Sequence, residues 1–301
     1  MLKTRIITAV VLLALFIPIL FFSPTIILSL VVSIIISLAA WEWGRFIWGI
    51  KSRFPIYYSL MIQLLLVILI YFIHLSDAIL VSRLNDLMSS ILWISIIFWL
   101  FAVPIILSRK LQFSIQKNTS LFAILGVIIF MSDWYAFMLL RDTGLWVLFS
   151  VLMIVWTADI GAYFIGKKIG IHKLAPQLSP GKSIEGAIGG MVAVCILGLI
   201  LNTENLSSSN FFNIIGQQYS WLILIPLSIF LAGMSVIGDL FESQLKRLAG
   251  VKDSSHLLPG HGGVLDRVDG LTSSLPLVMF LLTLPIYYNL YLYIKAVVFH
   301  A

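Results

Sequence analysis

The chain has 301 residues, of which 60% are hydrophobic and only 11% are charged. Because soluble globular domains carry roughly 25% charged residues, this composition excludes a soluble protein and predicts a single integral membrane domain covered by lipid. The net charge of +6 does not indicate a nucleic-acid-binding protein, since the sequence offers no soluble face on which the basic residues could gather. The one cysteine, Cys195, excludes an intrachain disulfide and a cysteine-rich metal site.

Nine apolar segments follow one another along the chain, each near the roughly 20 residues that a membrane-spanning helix needs. Lys3 and Arg5 precede the first segment and no small-residue cleavage site follows it, so we expect a retained helix and not a signal peptide. The seventh segment is rich in glycine, which lets helices approach closely in lipid, and we expect it to pack inside the bundle. The predicted spans are 5–23, 25–46, 56–74, 89–107, 120–140, 144–166, 186–201, 221–241 and 272–294. We therefore expect an all-α polytopic membrane protein, with N-terminal helices in 1–140 and C-terminal helices with catalytic loops in 141–301.

The basic residues predict the orientation of these helices, because cytoplasmic loops collect Lys and Arg. With nine spans and a cytoplasmic N-terminus, nearly all of the 19 basic residues lie inside. Those that fall outside are Arg83, Arg141 and Lys295. The inner segments include the one that carries Arg109 and Lys110, and two long loops at about 167–185 and 242–271. Long loops in compact proteins are usually functional or disordered, and these two carry most of the unusual residues.

The segment from Gly238 to Gly270 combines carboxylates and basic residues at helical spacing. If the eighth span continues as a helix, Asp239, Ser243 and Lys246 lie on one face, and Glu242 pairs with Lys246. Asp266 and Asp269 share a face if they open the ninth helix. Carboxylates bind divalent cations, and these cations together with Lys or Arg bind phosphates. The segment therefore predicts a phosphate-handling metal site.

Glycines near the start of the ninth helix suit the same chemistry. Gly260, Gly262 and Gly263 allow the backbone to approach a ligand closely and to present N–H groups. A helix that begins near Asp266 adds a favourable dipole for anions. The alternative is a solvated loop whose charges only mark the cytoplasmic side.

Besides Asp239, three acidic residues lie within the predicted apolar spans. Asp159 falls in the sixth span toward its inner end, and an ionisable residue there is a functional candidate, with a buried, paired aspartate as the alternative. Asp133 falls nearer the outer side of the fifth span, and we interpret it as structural. Glu42 lies between Trp41 and Trp43 at an inner membrane edge, where tryptophans typically belong to the interfacial belt.

Three strings resemble the phosphatidate cytidylyltransferase family. The longest is SQLKRLAGVKDSSHLLPGHGGVLDRVD at 243–269, and the others are ADIGAYFIG at 158–166 and SPGKSIEG at 179–186. Many members of the family have Lys where this chain has Gly181, which puts that one position in doubt. The resemblance is carried by motifs in about 155–270, and the first 140 residues match only as apolar spans.

The resemblance implies a reaction and its cofactors. A phosphatidate phosphate attacks the α-phosphorus of CTP and gives CDP-diacylglycerol and pyrophosphate. The family is similar in needing Mg²⁺, with a second cation such as K⁺ in the same site, and its members work as homodimers. A compact chain of this kind favours the bacterial inner membrane, with the active site facing the cytoplasm and phosphatidate entering from membrane lipid.

The resemblance also implies roles for residues of this chain. Metal ligands are expected at Asp239, Asp266 and Asp269. Catalytic positions that hold or contact the phosphates are expected at Lys246, Arg247, Lys252, Asp253, His261 and Arg267. Substrate-binding positions are expected at Asp159, Ser179, Lys182, Ser183, Glu185, Ser243, Gly262 and Gly263.

Other functions stay open at this point. A CTP-dependent transferase that acts on another lipid phosphate would share most of this pattern. A CDP-alcohol phosphotransferase is disfavoured, because its Asp-Gly-x2-Ala-Arg motif is absent from the sequence. A membrane transporter would suit nine spans and an intramembrane Asp159, although the sequence shows no internal repeat of the kind typical of transporters.

Overall fold

The computed structural model describes residues 2–108, 114–202, 210–219 and 221–299, and its regular secondary structure is helical apart from one short hairpin. Arg109 and Lys110, which the predicted orientation uses, lie outside the described residues. The helices are α1 Leu2–Phe22, α2 Thr25–Trp48, α3 Phe54–Leu75, α4 Ala78–Ile97, α5 Val103–Ser108, α6 Thr119–Thr143, α7 Leu145–Ile169, α8 Ile184–Leu201, α9 Phe211–Tyr219, α10 Trp221–Leu248 and α11 Leu265–Phe299. The predicted all-α fold is confirmed.

Seven helices in the described part of the chain are long and apolar enough to cross a membrane. They correspond to the second to eighth predicted spans, and α1 and α11 overlap the first and the ninth. Helix α3 illustrates why these helices need lipid. Its Ile62 and Leu66 are fully buried, whereas Leu64 and Tyr71 are about 60% exposed. The chain is therefore an integral membrane protein, and the count of nine spans stays a prediction.

The fourth span begins earlier than the sequence predicts. Helix α4 starts at Ala78 because the Asp77 side chain accepts a hydrogen bond from the Leu80 N–H at 2.8 Å, which caps the helix. It continues through a π-helical turn, Phe98–Ala102, into α5. This turn comes just before Pro104, which has no N–H to donate to the preceding helical turn. The polar residues of 82–90 are thus helical and not part of a loop.

Helices α7 and α8 lie in backbone contact. A Cβ on Gly190 would come within 2.5 Å of the Ala158 carbonyl oxygen, and one on Gly186 within 2.8 Å of the Ala162 carbonyl oxygen. The opposite face of α8 is exposed at Ile188 and other apolar residues. The glycines allow the close packing that the sequence predicts, but α8 lies at the edge of the bundle and not inside it.

The loop between α7 and α8 contains a structure that hydropathy did not predict. Strands β1 Lys173–Ala175 and β2 Ser179–Ser183 form an antiparallel hairpin with Lys173 opposite Ser183. Strand β2 leads directly into α8, where Ser183 caps the helix by accepting a hydrogen bond from the Gly186 N–H at 3.1 Å. The hairpin places Lys182 at the end of the bundle where α10 ends and α11 begins.

Candidate active site

The last turns of α10 carry one row of polar side chains. The Ser243 hydroxyl donates to Asp239 at 3.2 Å, and the Lys246 ammonium pairs with Glu242 at 2.5 Å. These contacts are the i, i+4 pairs that the spacing predicts. Glu242 and Lys246 are almost completely buried, with 3% and 8% of their surface exposed. A buried charge of either sign requires a partner, and the Glu242–Lys246 pair meets that need within a single helix.

The first turn of α11 faces this row. Lys246 contacts Asp266 Oδ1 at 2.5 Å, and Asp266 Oδ2 accepts the N–H groups of Ser254 and Gly263 at 2.9 and 2.8 Å. Asp266 lies ahead of the predicted span 272–294. Burial raises its pKa, but the Lys246 ammonium and the two N–H donors outweigh that effect, so the pKa lies below its usual value.

Three carboxylates form a compact cluster between the two helices. Oxygen atoms of Asp239, Glu242 and Asp269 all lie within 4.8 Å of one another. Among the described residues, Glu242 Oε1 has no hydrogen-bond partner. Divalent cations are bound by oxygen ligands of this kind, so the residues fit a divalent cation. We call Asp239, Glu242 and Asp269 the carboxylate cluster.

Two further elements bring charge to the carboxylate cluster. Lys182, from the hairpin, pairs with Asp239 at 2.5 Å. Asp159, in α7, is exposed, and its charge interacts with those of Asp239, Lys182 and Arg267. Carboxylates outnumber the basic groups in this part of the described structure, and a bound cation would lower their mutual repulsion.

Glu42 holds part of the site in place, which the sequence did not predict. This α2 side chain is fully buried and accepts hydrogen bonds from the N–H groups of Val264 and Leu265 at 3.0 and 2.6 Å. It also accepts from the hydroxyls of Ser254, at 2.9 Å, and Ser255. Glu42 therefore fixes both the 242–271 loop and the start of α11. A signal existed in the sequence, because Glu42 is the only acidic residue within α2.

The negative charge that the N-terminus of α11 favours is supplied by the protein itself, through the carboxylates of Glu42 and Asp266. The N–H groups of Gly263, Val264 and Leu265 donate to Asp266 and Glu42. Of the three glycines expected to present N–H groups to a phosphate, Gly263 thus has its N–H bonded to Asp266, and the role of Gly260 and Gly262 stays a prediction. Gly262 has a positive φ of 82°, which favours glycine. A Cβ on Gly263 would collide with the side chains of Ser254 and Glu42. The positive φ of Gly262 and the collision at Gly263 explain why glycine stands at both positions, and their role in substrate binding stays a prediction.

Two of the remaining predicted basic residues, Arg247 and Arg267, donate hydrogen bonds to backbone carbonyl oxygens of the loops. Arg247 donates to the carbonyl oxygens of Leu178 at 3.1 Å and Val251 at 3.3 Å, which ties the hairpin to α10. Arg267 is exposed and donates to the His261 carbonyl oxygen at 3.0 Å. Lys252 and Asp253 are exposed on the loop, and His261 is half-buried. Their catalytic roles stay predictions.

Of the predicted residues on the loop before α8, Lys182 contacts the carboxylate cluster, through Asp239. Ser183 serves as the cap of α8, and Ser179 pairs with Ala175 in the hairpin. Glu185 accepts hydrogen bonds from the His172 ring at 2.6 Å and from the His172 backbone N–H at 3.1 Å. These contacts explain the order of the hairpin, and the substrate-binding roles of Ser179, Ser183 and Glu185 stay predictions.

Comparison with known proteins identifies the family. A model of the cytidylyltransferase family matches residues 3–284. This chain belongs to the cytidylyltransferase family. It is 35% identical to a phosphatidate cytidylyltransferase of Pseudomonas aeruginosa, over 94% of this chain and 97% of the relative. It is likewise 35% identical to one of Haemophilus influenzae, over 92% of this chain and 96% of the relative. The chain is therefore a nucleotidyltransferase of the membrane, and the cytidylyltransferase match includes α2 with Glu42 as well as the motifs near the C-terminus.

Proposed function

We propose that this chain is a phosphatidate cytidylyltransferase, which converts CTP and phosphatidate into CDP-diacylglycerol and pyrophosphate. The observation that carries the proposal is the carboxylate cluster, which is flanked by Lys182 and Lys246 at one end of an apolar helix bundle. The cytidylyltransferase family and the names of the relatives support the same reaction.

The reaction forms one bond and breaks another at the α-phosphorus of CTP. An oxygen of the phosphatidate phosphate forms the new P–O bond, and the bond to the β-phosphate breaks with pyrophosphate as the leaving group. Because the nucleophile is already an anion, no strong general base is required. The barrier arises from bringing two anions together and from the charge that develops at phosphorus.

We propose that the carboxylate cluster and Asp266 hold Mg²⁺, with Asp239 and Asp269 as the principal ligands and Glu242 added to the set predicted from the sequence. A divalent cation bound there would supply positive charge to the phosphate oxygens. A second cation such as K⁺ in the same site remains part of the proposal. The protein positions these ligands through the Lys246 pairs and through Glu42, which sets the start of α11.

We propose that basic side chains bind the phosphates. Lys182 is three-quarters buried and is placed by the hairpin, so it would orient an anion with little loss of side-chain freedom. Arg267 is exposed beside the site and is available to the lipid phosphate. Lys252, Arg247 and His261 complete the predicted set around the leaving pyrophosphate.

The location of the site is also part of the proposal. The Thr8 hydroxyl, in α1, donates to the Pro259 carbonyl oxygen at 2.9 Å, which supports an N-terminus on the same side as the 242–271 loop. With the positive-inside pattern, this arrangement favours a site that faces the cytoplasm of a bacterial inner membrane. The homodimer implied by the resemblance is tested by the mass of the purified protein in detergent.

The proposed activity is tested by conversion of radiolabelled CTP to a lipid-soluble product. We expect product only when phosphatidate and Mg²⁺ are both present, and we expect Asp269→Asn to reduce it strongly at a low Mg²⁺ concentration. Product from another lipid phosphate but not from phosphatidate would keep the transfer chemistry and reject the substrate. The absence of product with every lipid phosphate would reject the function.

A further inference from the structure

The hairpin between α7 and α8 is closed at its base by backbone pairing. Lys173 lies opposite Ser183 in the antiparallel register, and the Ile184 N–H donates to the His172 carbonyl oxygen at 2.8 Å. A two-stranded hairpin on its own is only marginally stable in water. Further contacts are therefore needed to hold the two strands, and Lys182 with them, in one place.

Glu185, in the first turn of α8, supplies contacts of this kind. Its Oε2 accepts a hydrogen bond from the Ile171 N–H at 3.2 Å. Its Oε1 accepts from the His172 backbone N–H at 3.1 Å and from the His172 ring nitrogen Nδ1 at 2.6 Å. The carboxylate also lies at the end of a helix where the dipole favours negative charge. Both oxygens of Glu185 are thus bonded to the two residues that precede the hairpin.

The tip of the hairpin is fixed by a different contact. Arg247, in α10, donates to the Leu178 carbonyl oxygen at 3.1 Å. Lys182 lies in β2 between this tip and Glu185, and it pairs with Asp239 of the carboxylate cluster at 2.5 Å. A lysine side chain loses much rotamer freedom when it is held in one position. Because the hairpin is held at both ends, its backbone supplies a fixed origin for that side chain.

The bonds of Glu185 argue against direct binding of substrate by this residue. An ionised carboxylate can only accept hydrogen bonds, and both oxygens of Glu185 already accept from the protein. A carboxylate also repels the phosphates that carry the charge of CTP and phosphatidate. Glu185 is therefore suited to hold the hairpin and not a substrate.

We propose that Glu185 and His172 are positioning residues that act through Lys182. They close the base of the hairpin, so that the Lys182 ammonium lies where a substrate phosphate binds. The inference rests on the proposed function and gives Glu185 a role other than the substrate contact that its motif implies. The phosphate that Lys182 contacts belongs to CTP or to phosphatidate, and the experiment distinguishes the two.

The expected effects are ordered by the same contacts. Lys182→Met should raise the KM of the substrate whose phosphate it binds by about ten-fold or more, since a hydrogen bond from a charged group is lost. Glu185→Ala should raise the same KM by about three-fold or more, and by no more than Lys182→Met, because Glu185 acts only through that lysine. His172→Ala should give a smaller rise than Glu185→Ala, since the backbone N–H groups remain bonded to the carboxylate.

The test is a double-mutant cycle on the KM for CTP and on the KM for phosphatidate. The full-length variants Glu185→Ala, Lys182→Met and their combination convert labelled CTP in micelles that contain phosphatidate and saturating Mg²⁺. Residues that act through one another have non-additive effects, so Glu185→Ala should add no further rise in the Lys182→Met background. Its full effect should remain in the matched Lys173→Met background, because Lys173 is an exposed lysine of the same hairpin.

A second measurement follows the Lys182 side chain itself. The full-length protein is treated with an amine-reactive reagent, and mass spectrometry gives the modified fraction of Lys182 relative to that of Lys168, which is exposed at the end of α7. The Lys182 side chain is only 25% exposed beside Asp239. Its modified fraction should rise in Glu185→Ala, because the hairpin no longer holds the ammonium against Asp239.

The outcomes separate the inference from the proposed function. Loss of the Glu185→Ala effect in the Lys182→Met background, with increased modification of Lys182 in Glu185→Ala, supports the inference. Additive effects on KM, an unchanged KM for both substrates in Lys182→Met, or unchanged modification of Lys182 overturns it. If Lys182→Met gives too little product for a KM, the modification of Lys182 decides.

A folding defect is handled by a milder variant. If Glu185→Ala fails to fold by size-exclusion chromatography, Glu185→Gln, which keeps one acceptor oxygen, takes its place in both measurements. Absence of product from the wild-type protein with every lipid phosphate rejects the proposed function, whereas the modification of Lys182 then still decides whether Glu185 positions it.

Discussion

Replacing Glu42 with Gln is expected to lower both the thermal stability of the protein and its turnover of CTP. The Glu42 carboxylate accepts from two hydroxyls and from the N–H groups of Val264 and Leu265. Gln has one oxygen to accept these bonds, and its NH₂ group would face the donors on the other side. Roughly half of the bonds would be lost, and the N-terminus of α11 would lose its compensating negative charge.

The magnitude follows from the bonds at stake. Hydrogen bonds to charged groups contribute about 1.5–3 kcal/mol each. Losing about two of them in a buried setting gives a cost of about 3 kcal/mol or more. At roughly 2–4 °C per kcal/mol for a domain of this order of size, Tm should fall by about 6 °C or more. CTP turnover should fall as well, because the start of α11 carries Asp266 and Asp269.

The assay is thermal unfolding in detergent together with conversion of labelled CTP at a temperature well below Tm. Asp86→Asn is the control for charge removal, since Asp86 is exposed on α4, and it should change neither quantity. A Glu42→Gln protein with wild-type Tm and turnover would refute the reasoning, because the bonds to Glu42 would then contribute neither to stability nor to the site.

Three further predictions follow from the contacts of the site. Asp269→Asn should raise the Mg²⁺ concentration for half-maximal turnover at least about ten-fold without lowering Tm, because it removes one of three crowded carboxylates; a lower Tm would argue for a structural role. Gly263→Ala should reduce folded protein sharply by size-exclusion chromatography, whereas Gly181→Ala, which has open space around its Cβ, should not; equal yields would contradict the collision. Lys246→Met should lower the free energy of unfolding in denaturant by about 3–5 kcal/mol, since it leaves two buried carboxylates without their ion pair. The loss should be larger than for Lys182→Met, because the Lys182 side chain is 25% exposed; the reverse order would contradict the importance of the Lys246 pairs.

The parts of the site that sequence predicted are those set by local spacing. Helical periodicity placed Asp239 and Ser243 on one face, and it placed Asp266 and Asp269 in the opening turns of α11, which begins at Leu265. Hydropathy located the membrane helices because an apolar run of about 20 residues has few other stable structures. Both predictions depend only on residues that are close to one another along the chain.

The parts that sequence did not predict depend on contacts between distant segments. Glu42 bonds to residues more than 200 positions away, and no local pattern reports such a pairing. It also comes from the N-terminal part proposed at 1–140, while the groups that it binds belong to 141–301. The two parts therefore build one site together, and a fragment limited to the second part would lack the acceptor for the start of α11.

The backbone contact between α7 and α8 has a consequence for how the site is held in shape. Side chains between helices can change rotamer and let the helices shift, but here the carbonyl oxygens of Ala158 and Ala162 lie against Gly190 and Gly186. Asp159 follows Ala158 in α7, and Lys182 lies in β2, two residues before α8 begins. The distance between the backbones of these two residues is thus set by main-chain contacts, so that movements of the surrounding bilayer would displace the two backbones together.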